Sequence, residues 1–153
     1  MKTTHGIILV DSRLKILCVH PTNAPLKFWS IPKGGENDNE TSLQAACREL
    51  YEETNLDLAL YMNNLVYYEY LGAFNYKGAS KQLNCHVIYI NHPLSTCDLD
   101  LKCESMIDDT NVPECDLIKW KSIDFCLKKL HHTQVEGLME CLKKIIKINQ
   151  KRF

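Results

Sequence analysis

Residues 41–56 contain a helix whose two ends are written into the chain. Thr41-Ser42-Leu43-Gln44 carries a capping-box signature, with Thr at the N-cap and Gln at N3 satisfying backbone N–H groups left open at a helix start. Asn55 stands where that helix must stop, and Asn is the usual second choice to Gly for the left-handed residue there. Between the two ends Leu43, Ala46, Cys47 and Leu50 form an apolar side, while the glutamates are expected on another. Glu49, Glu52 and Glu53 are three and four positions apart and crowd one another, each like-charge pair costing on the order of 0.2–0.5 kcal/mol in an isolated helix. A divalent cation would reverse that sign. The helix is expected to pack by one side and to hold a metal by another.

The flanking pattern sets the fold class. Residues 4–10 and 14–20 are β-rich runs separated by Asp11-Ser12-Arg13 and read as a hairpin. Residues 21–27 hold two prolines and form a loop. Residues 28–31 are a short extended piece ending at Pro32, which biases Ile31 towards the β region. Residues 33–39 are a glycine-containing loop. Residues 65–74 and 83–91 are further strands around a turn at 76–80. Residues 92–113 are polar and acidic, an excursion on the surface. A last short strand is expected at 116–120 and a short helix at 122–130. An amphipathic helix at 133–148 presents Val135, Leu138, Met139, Leu142 and Ile145 or Ile146. The Lys-rich stretch 143–152 is a solvated helix face and fraying tail. Strands, helix, strands, helix, without βαβ alternation, favour an α+β or layered α/β/α arrangement with a mixed sheet.

At 153 residues one domain, 1–153, is the natural count. Eighteen Lys and Arg against nineteen Asp and Glu, spread along the chain, argue against charge-driven binding to long nucleic acid. A local phosphate pocket stays compatible with that balance. No apolar stretch approaches the roughly 18–20 residues of a membrane span, and residues 7–10 are too short for a secretory core. A soluble, cytoplasmic protein is expected. The eight cysteines form no C-x2-C pair and no zinc spacing, so they are expected as reduced thiols, several acting as small hydrophobes.

Gly34-x5-Glu40-x7-Arg48-Glu49-Leu50-x-Glu52-Glu53-x-Asn55-Leu56 resembles the Nudix box, G-x5-E-x7-R-E-U-x-E-E-x-G-U with U aliphatic. Every specified position matches except Asn55, where the family normally has glycine. The lead-in Trp29-Ser30-Ile31-Pro32-Lys33-Gly34-Gly35 is similar to the one common in that family. Asn39 also stands where many members have glycine. Both departures are Gly to Asn, which keeps a left-handed backbone accessible and removes no charge.

The resemblance implies a Nudix-like α/β/α sandwich and hydrolysis of a nucleoside diphosphate linked to another group X, with Mg²⁺ or Mn²⁺. Carried over by position, Glu49 and Glu53 are implied metal ligands, and Glu52 either a ligand or the general base. Arg48 is implied to pair with Glu52 at i+4 and hold its carboxylate. Glu40 would support the loop or a further metal, and the Lys33 carbonyl beside Gly34 would add a ligand. Outside the box, Tyr76, Lys77 and Lys81 either touch phosphates or form a solvated hairpin tip. Phe28 and Trp29 either stack on a base or belong to the core. Glu114 or Asp116 would add a carboxylate. His86 is expected to be structural, and His131 and His132 to have no chemical role.

The lead-in and compact size most resemble members that cleave dinucleoside polyphosphates. ADP-ribose and other nucleotide sugars, NTPs, diphosphoinositol polyphosphates and the 5′ end of RNA stay open, the last-but-one disfavoured by the neutral charge. A Nudix-fold module that binds a nucleotide without turning it over is the reading from a different class. The expected partner is a small nucleotide, with no membrane and no extended nucleic acid; the sequence leaves the oligomeric state open.

Overall fold

The computed structural model of the protein describes residues 2–76, 78 and 80–151. A six-stranded mixed sheet forms the middle layer among these residues. In chain order its strands are β1 (Lys2–Val10), β2 (Lys15–Pro21), β3 (Lys33–Gly34), β4 (Leu65–Asn75), β5 (Lys81–Ile90) and β6 (Cys115–Ser122). The helices are α1 (Ser42–Thr54), α2 (Ile123–Lys129) and α3 (His132–Gln150). The strand order is β4-β5-β1-β2-β6, with β3 added on β1. β1 runs parallel to β5, and the other pairings are antiparallel.

β1 and β5 are buried almost continuously, so neither alternates apolar with polar. Both faces of these central strands are covered, which explains the unbroken apolar runs. Ile8, Val10, Ile16, Cys18, Cys85 and Val87 meet Leu138, Cys141 and Ile145 of α3 on one face. Ile7, Leu9, Leu17, Ile88 and Ile90 meet Ala46 and Leu50 of α1 on the other. This is the layered α+β sandwich that the sequence implies.

The expected β1–β2 hairpin is paired only at its root, through Val10 opposite Ile16 and Asp11 N–H donating to the Lys15 carbonyl. Beyond it the strands splay, because β3 wedges against His5 and Gly6 of β1 while Ser30 bridges to Val19 of β2. Gly6 is what admits the wedge: a Cβ there would lie 3.0 Å from both Ile31 Cδ1 and Lys33 Cβ. The glycine loop therefore leaves the sheet from its middle, directly beside α1.

Three further expectations are corrected. Met139 is 60% exposed, because α3 instead buries Gln134, Gly137, Leu138, Cys141, Ile145 and Asn149 as its stripe. The tail is pinned as far as Asn149, whose Nδ2 donates to the Ser12 carbonyl and to Tyr89 Oη. The 92–113 excursion is not merely a surface loop: Leu94 is buried, and Leu99 and Leu101 pack against the α1-side core. Its backbone also closes the end of α1, with Lys102 N–H donating to the Thr54 carbonyl and Glu104 and Ser105 N–H to that of Glu52. These acceptors are among the carbonyls that a helix C-terminus leaves open.

Leu58–Asn64 forms a 3-10 segment capped by Asp57, which accepts from Ala59 N–H. All eight cysteines are free, five of them buried. No helix among the described residues is long and apolar enough to cross a membrane.

Candidate functional site

α1 begins and ends as its sequence dictates. Thr41 and Gln44 form the complete capping box, and Asn55 takes φ 66° with its N–H donating to the Tyr51 carbonyl. Asn39 shares the left-handed conformation, also at φ 66°. Both Asn-for-Gly departures thus preserve the backbone shape.

The faces of α1 differ from expectation. Ala45, Ala46, Glu49, Leu50 and Glu53 are buried together, whereas Leu43 and Cys47 are half-buried. Positions 46, 49, 50 and 53 follow the helical repeat, so two glutamates lie on the packed side rather than opposite it. Glu49 is 8% exposed and Glu53 7% exposed; the Glu52 side chain retains 37%.

Each carboxylate has its own partners. Glu53 Oε1 accepts from Lys33 N–H at 2.9 Å, and Oε2 accepts from the Cys115 thiol at 3.6 Å. Burial pushes the Glu53 carboxyl up to about 8, with the Glu49 charge adding to it and the Lys33 N–H opposing. Burial likewise raises Glu49, Arg48 opposing while Glu52 and Glu114 add repulsion. Gly34 makes room for Glu49: a Cβ there would fall 2.2 Å from its carboxyl carbon.

Arg48 holds more than the expected i+4 partner. Its Nε and Nη2 grip Glu40 at 2.8 and 3.0 Å, a bidentate pair that lowers the Glu40 carboxyl pKa. Nη1 donates to Glu49 at 2.9 Å and to Glu52 at 3.1 Å, and Nη2 also to the Gly35 carbonyl at 2.6 Å. Glu40 in turn accepts from Asn37 N–H at 2.7 Å, closing the loop on itself. Glu40 is thus placed as a loop support.

Among the described residues no three acidic, His or Cys side chains converge on one metal-sized point. The donor set nevertheless fits a hard divalent cation. Two buried carboxyls raised by burial and by neighbouring carboxylates are what such an ion relieves, and oxygen ligands are what it prefers.

Lys33 is half-buried; desolvation of its ammonium lowers its pKa, and Glu53 opposes that shift. It sits 6.0 Å from the Tyr76 ring, which the Lys81 ammonium also meets at 4.9 Å. A cavity of about 340 Å³ is lined by Phe28, Trp29, Lys33, Tyr76, Lys129 and His131, among others. It shares Pro21, Ser30 and Lys33 with a cavity of about 230 Å³ that reaches Glu53, Glu114 and Cys115. Trp29, Lys33, Tyr76 and Lys81 are therefore brought together, and Lys33 links them to Glu53, while Lys77 lies outside the described residues. Of the two late carboxylates, Glu114 faces the site and Asp116 does not, being bonded to His20. His131 caps α3 and stacks near Tyr76, at 4.6 Å between ring centroids. Cys115 and His131 reach the site by long-range folding, and no local pattern marks them.

A family model for the NUDIX domain matches residues 2–130. The RNA pyrophosphohydrolase of Bartonella henselae is 43% identical over 51 residues, 33% of this chain and 29% of that protein. The m7GpppN-mRNA hydrolase dcap-2 of Caenorhabditis elegans is 41% identical over 59 residues, 38% of this chain and 8% of that protein. The matches thus span less than a third of either relative. Among solved structures, a binary complex of C. elegans Ap4A hydrolase superposes with a TM-score of 0.68 at 19% identity, covering 96% of this chain and 99% of that one. The NUDIX domain of Shewanella oneidensis NrtR, complexed with ADP ribose, gives 0.65 at 20% identity over 93% and 88%. At these identities the likeness is one of fold. Nudix proteins generally use divalent metal ions. With the family match running from β1 to the end of α2, the chain belongs to the Nudix hydrolase family.

Proposed function

We propose that this Nudix domain is a Mg²⁺- or Mn²⁺-dependent pyrophosphohydrolase that cleaves a nucleoside diphosphate linked to another group, with a dinucleoside polyphosphate or related nucleotide as substrate. One observation carries this reading: an aromatic and lysine-lined cavity runs through Lys33 into the cavity that reaches Glu53. The aromatic walls suit a base and the lysines a phosphate chain. Glu49 and Glu53 would hold the metal, with the Lys33 or Gly34 carbonyl adding an oxygen. The ion, when bound, neutralises phosphate charge and lowers the pKa of water.

The chain's own groups supply the rest. Arg48 ties Glu40, Glu49 and Glu52 to one guanidinium, which keeps their carboxylates beside one another. Glu52 is the most exposed of the three box glutamates on α1, and it accepts the proton of the attacking water at its carboxylate. Lys33 and Lys81 neutralise the substrate's negative charge, and Trp29 and Tyr76 orient the base. In phosphoryl chemistry such positioning and electrostatics carry most of the rate.

The test is incubation with Mg²⁺ or Mn²⁺ and a panel of diadenosine tetraphosphate, ADP-ribose, ATP and 5′-triphosphorylated RNA, with products resolved chromatographically. Turnover of the dinucleoside polyphosphate is expected, and Glu52→Gln should lower it by about 10²–10⁴-fold with the fold intact. No turnover of any substrate would refute hydrolysis and leave a nucleotide-binding module; near-native rates in Glu52→Gln would refute its role. A second reading, an RNA 5′-end pyrophosphohydrolase, draws on the local identity to the B. henselae protein and is decided by the RNA arm.

A further inference from the structure

His20, at the end of β2, is 1% exposed and has an acceptor on each ring nitrogen. Nδ1 lies 2.6 Å from Asp116 Oδ1, and Nε2 lies 2.9 Å from the Pro25 carbonyl. A carbonyl oxygen cannot donate, so Nε2 carries hydrogen. A carboxylate does not donate either, so Nδ1 carries the other. A neutral imidazole has only one N–H; two acceptors select the imidazolium.

The contacts tie three parts of the fold together: β2, β6 through Asp116, and the 21–29 loop through Pro25. That loop delivers Phe28 and Trp29 to the wall of the larger cavity. His20 itself meets Trp29 edge-on, with ring centroids 5.5 Å apart. Elsewhere the loop is anchored mainly by Thr22, whose N–H and hydroxyl donate to the Glu114 and Pro113 carbonyls. Its tip is open, with Leu26 78% exposed.

We propose that His20 is a positively charged clasp that positions the 21–29 loop, and through Trp29 sets the shape of the substrate cavity. It is a positioning residue, acting on substrate binding rather than on the bond that breaks. This rests on the pyrophosphohydrolase reading only for the cavity's occupant. The Pro25 carbonyl and Asp116 both raise the His20 pKa, and burial opposes them. Of the charged groups around it, Asp116 of β6 faces it directly. Lys121 of β6 lies 4.6 Å from the far partner, the Trp29 ring, and Lys129 of α2 and Lys33 line the cavity beyond. Once His20 loses its proton, one of the two acceptors is left without a donor and the loop loosens.

The experiment combines ¹⁵N NMR of the His20 ring with steady-state kinetics on diadenosine tetraphosphate and Mg²⁺ between pH 6 and 9. Both ring nitrogens should show the protonated shift at pH 7. KM should rise several-fold as His20 titrates, with the effect absent from kcat. Asp116→Asn, at a residue whose side chain is 45% exposed, keeps an acceptor and removes the charge. It should move both the NMR titration and the rise in KM down by about one pH unit. One unprotonated ring nitrogen at pH 7, or an Asp116→Asn profile that overlays the parent, overturns the clasp. Failure to cleave the probe overturns the proposed activity alone, because the NMR titrations of the parent and of Asp116→Asn still decide the clasp. His20→Gln adds a test where it folds; Asp116→Asn does not depend on it.

Discussion

Gly34→Ala separates the two reasons for which a glycine is retained. Gly34 does not have a positive φ, so alanine fits the backbone there. Its new Cβ, however, would fall 2.2–2.4 Å from the carboxyl atoms of Glu49. Ordinary van der Waals contact needs about 3.4 Å or more, so the carboxylate has to retreat by about 1 Å. Glu49 is buried and bonded to Arg48, so its retreat also drags on Glu40 and Glu52. A misplacement of about 1 Å in a reacting assembly costs about 10²-fold in rate, or about 2.7 kcal/mol of barrier. Gly35→Ala is the matched control, with nothing within 4 Å of a Cβ built there. The assay is kcat at saturating substrate with Mg²⁺ titrated, beside thermal melts. Gly34→Ala should lose about 10²-fold and require more metal, and Gly35→Ala should stay within about twofold of the parent. Equal effects from the two alanines, or a Gly34→Ala enzyme of near-parent rate, would refute the steric argument.

The raised Glu53 carboxyl gives a pH dependence of known sign. Its folded value of about 8 exceeds the ordinary 4.5, so the unfolded chain releases this proton first, and metal-free stability falls as pH rises from about 4.5 to about 8. The loss is on the order of 3 kcal/mol by pH 7; melts in EDTA measure it, Glu53→Gln should flatten the slope, and a rising slope would contradict it. Addition of divalent metal should restore stability, by about 2.7 kcal/mol at a hundredfold excess over Kd, and no shift in melting on adding Mg²⁺ or Mn²⁺ would count against the metal site. At the end of α1, Asn55→Ala should be less stable than Asn55→Gly by about 1 kcal/mol in denaturant unfolding, since only the alanine is strained at φ 66°; equal midpoints would contradict the left-handed cap.

What could be read from the sequence was local. The capping box at Thr41 and Gln44 and the left-handed Asn55 are decided by a few neighbouring residues, and both stand as expected. The strands were found because runs such as residues 4–10 carry their β preference with them. The helix faces were harder, since a glutamate's charge suggests solvent, whereas Glu49 and Glu53 are turned inward by the wedge of β3. Arg48 showed only its i+4 partner in the sequence; Glu40, eight residues away, becomes its bidentate partner once the loop curls back. The Cys115–Glu53 contact spans 62 residues and carries no periodic or motif signal. Met139 lies off the buried stripe because the helical repeat permits two adjacent stripes, and packing against the sheet selects the one through Leu138.

The strap of chain that closes the end of α1 makes its contacts through backbone N–H groups of residues 102, 104 and 105. Side-chain identity at those positions is therefore free to drift, while proline at any of them would remove a donor to the turn that carries Glu52 and Glu53. The tip beyond, residues 107–112, touches none of those carbonyls and can lengthen or shorten without disturbing the helix end. The chain thus separates a fixed rung from a variable tip, leaving a place where new surface can be grafted without altering how the glutamates are held.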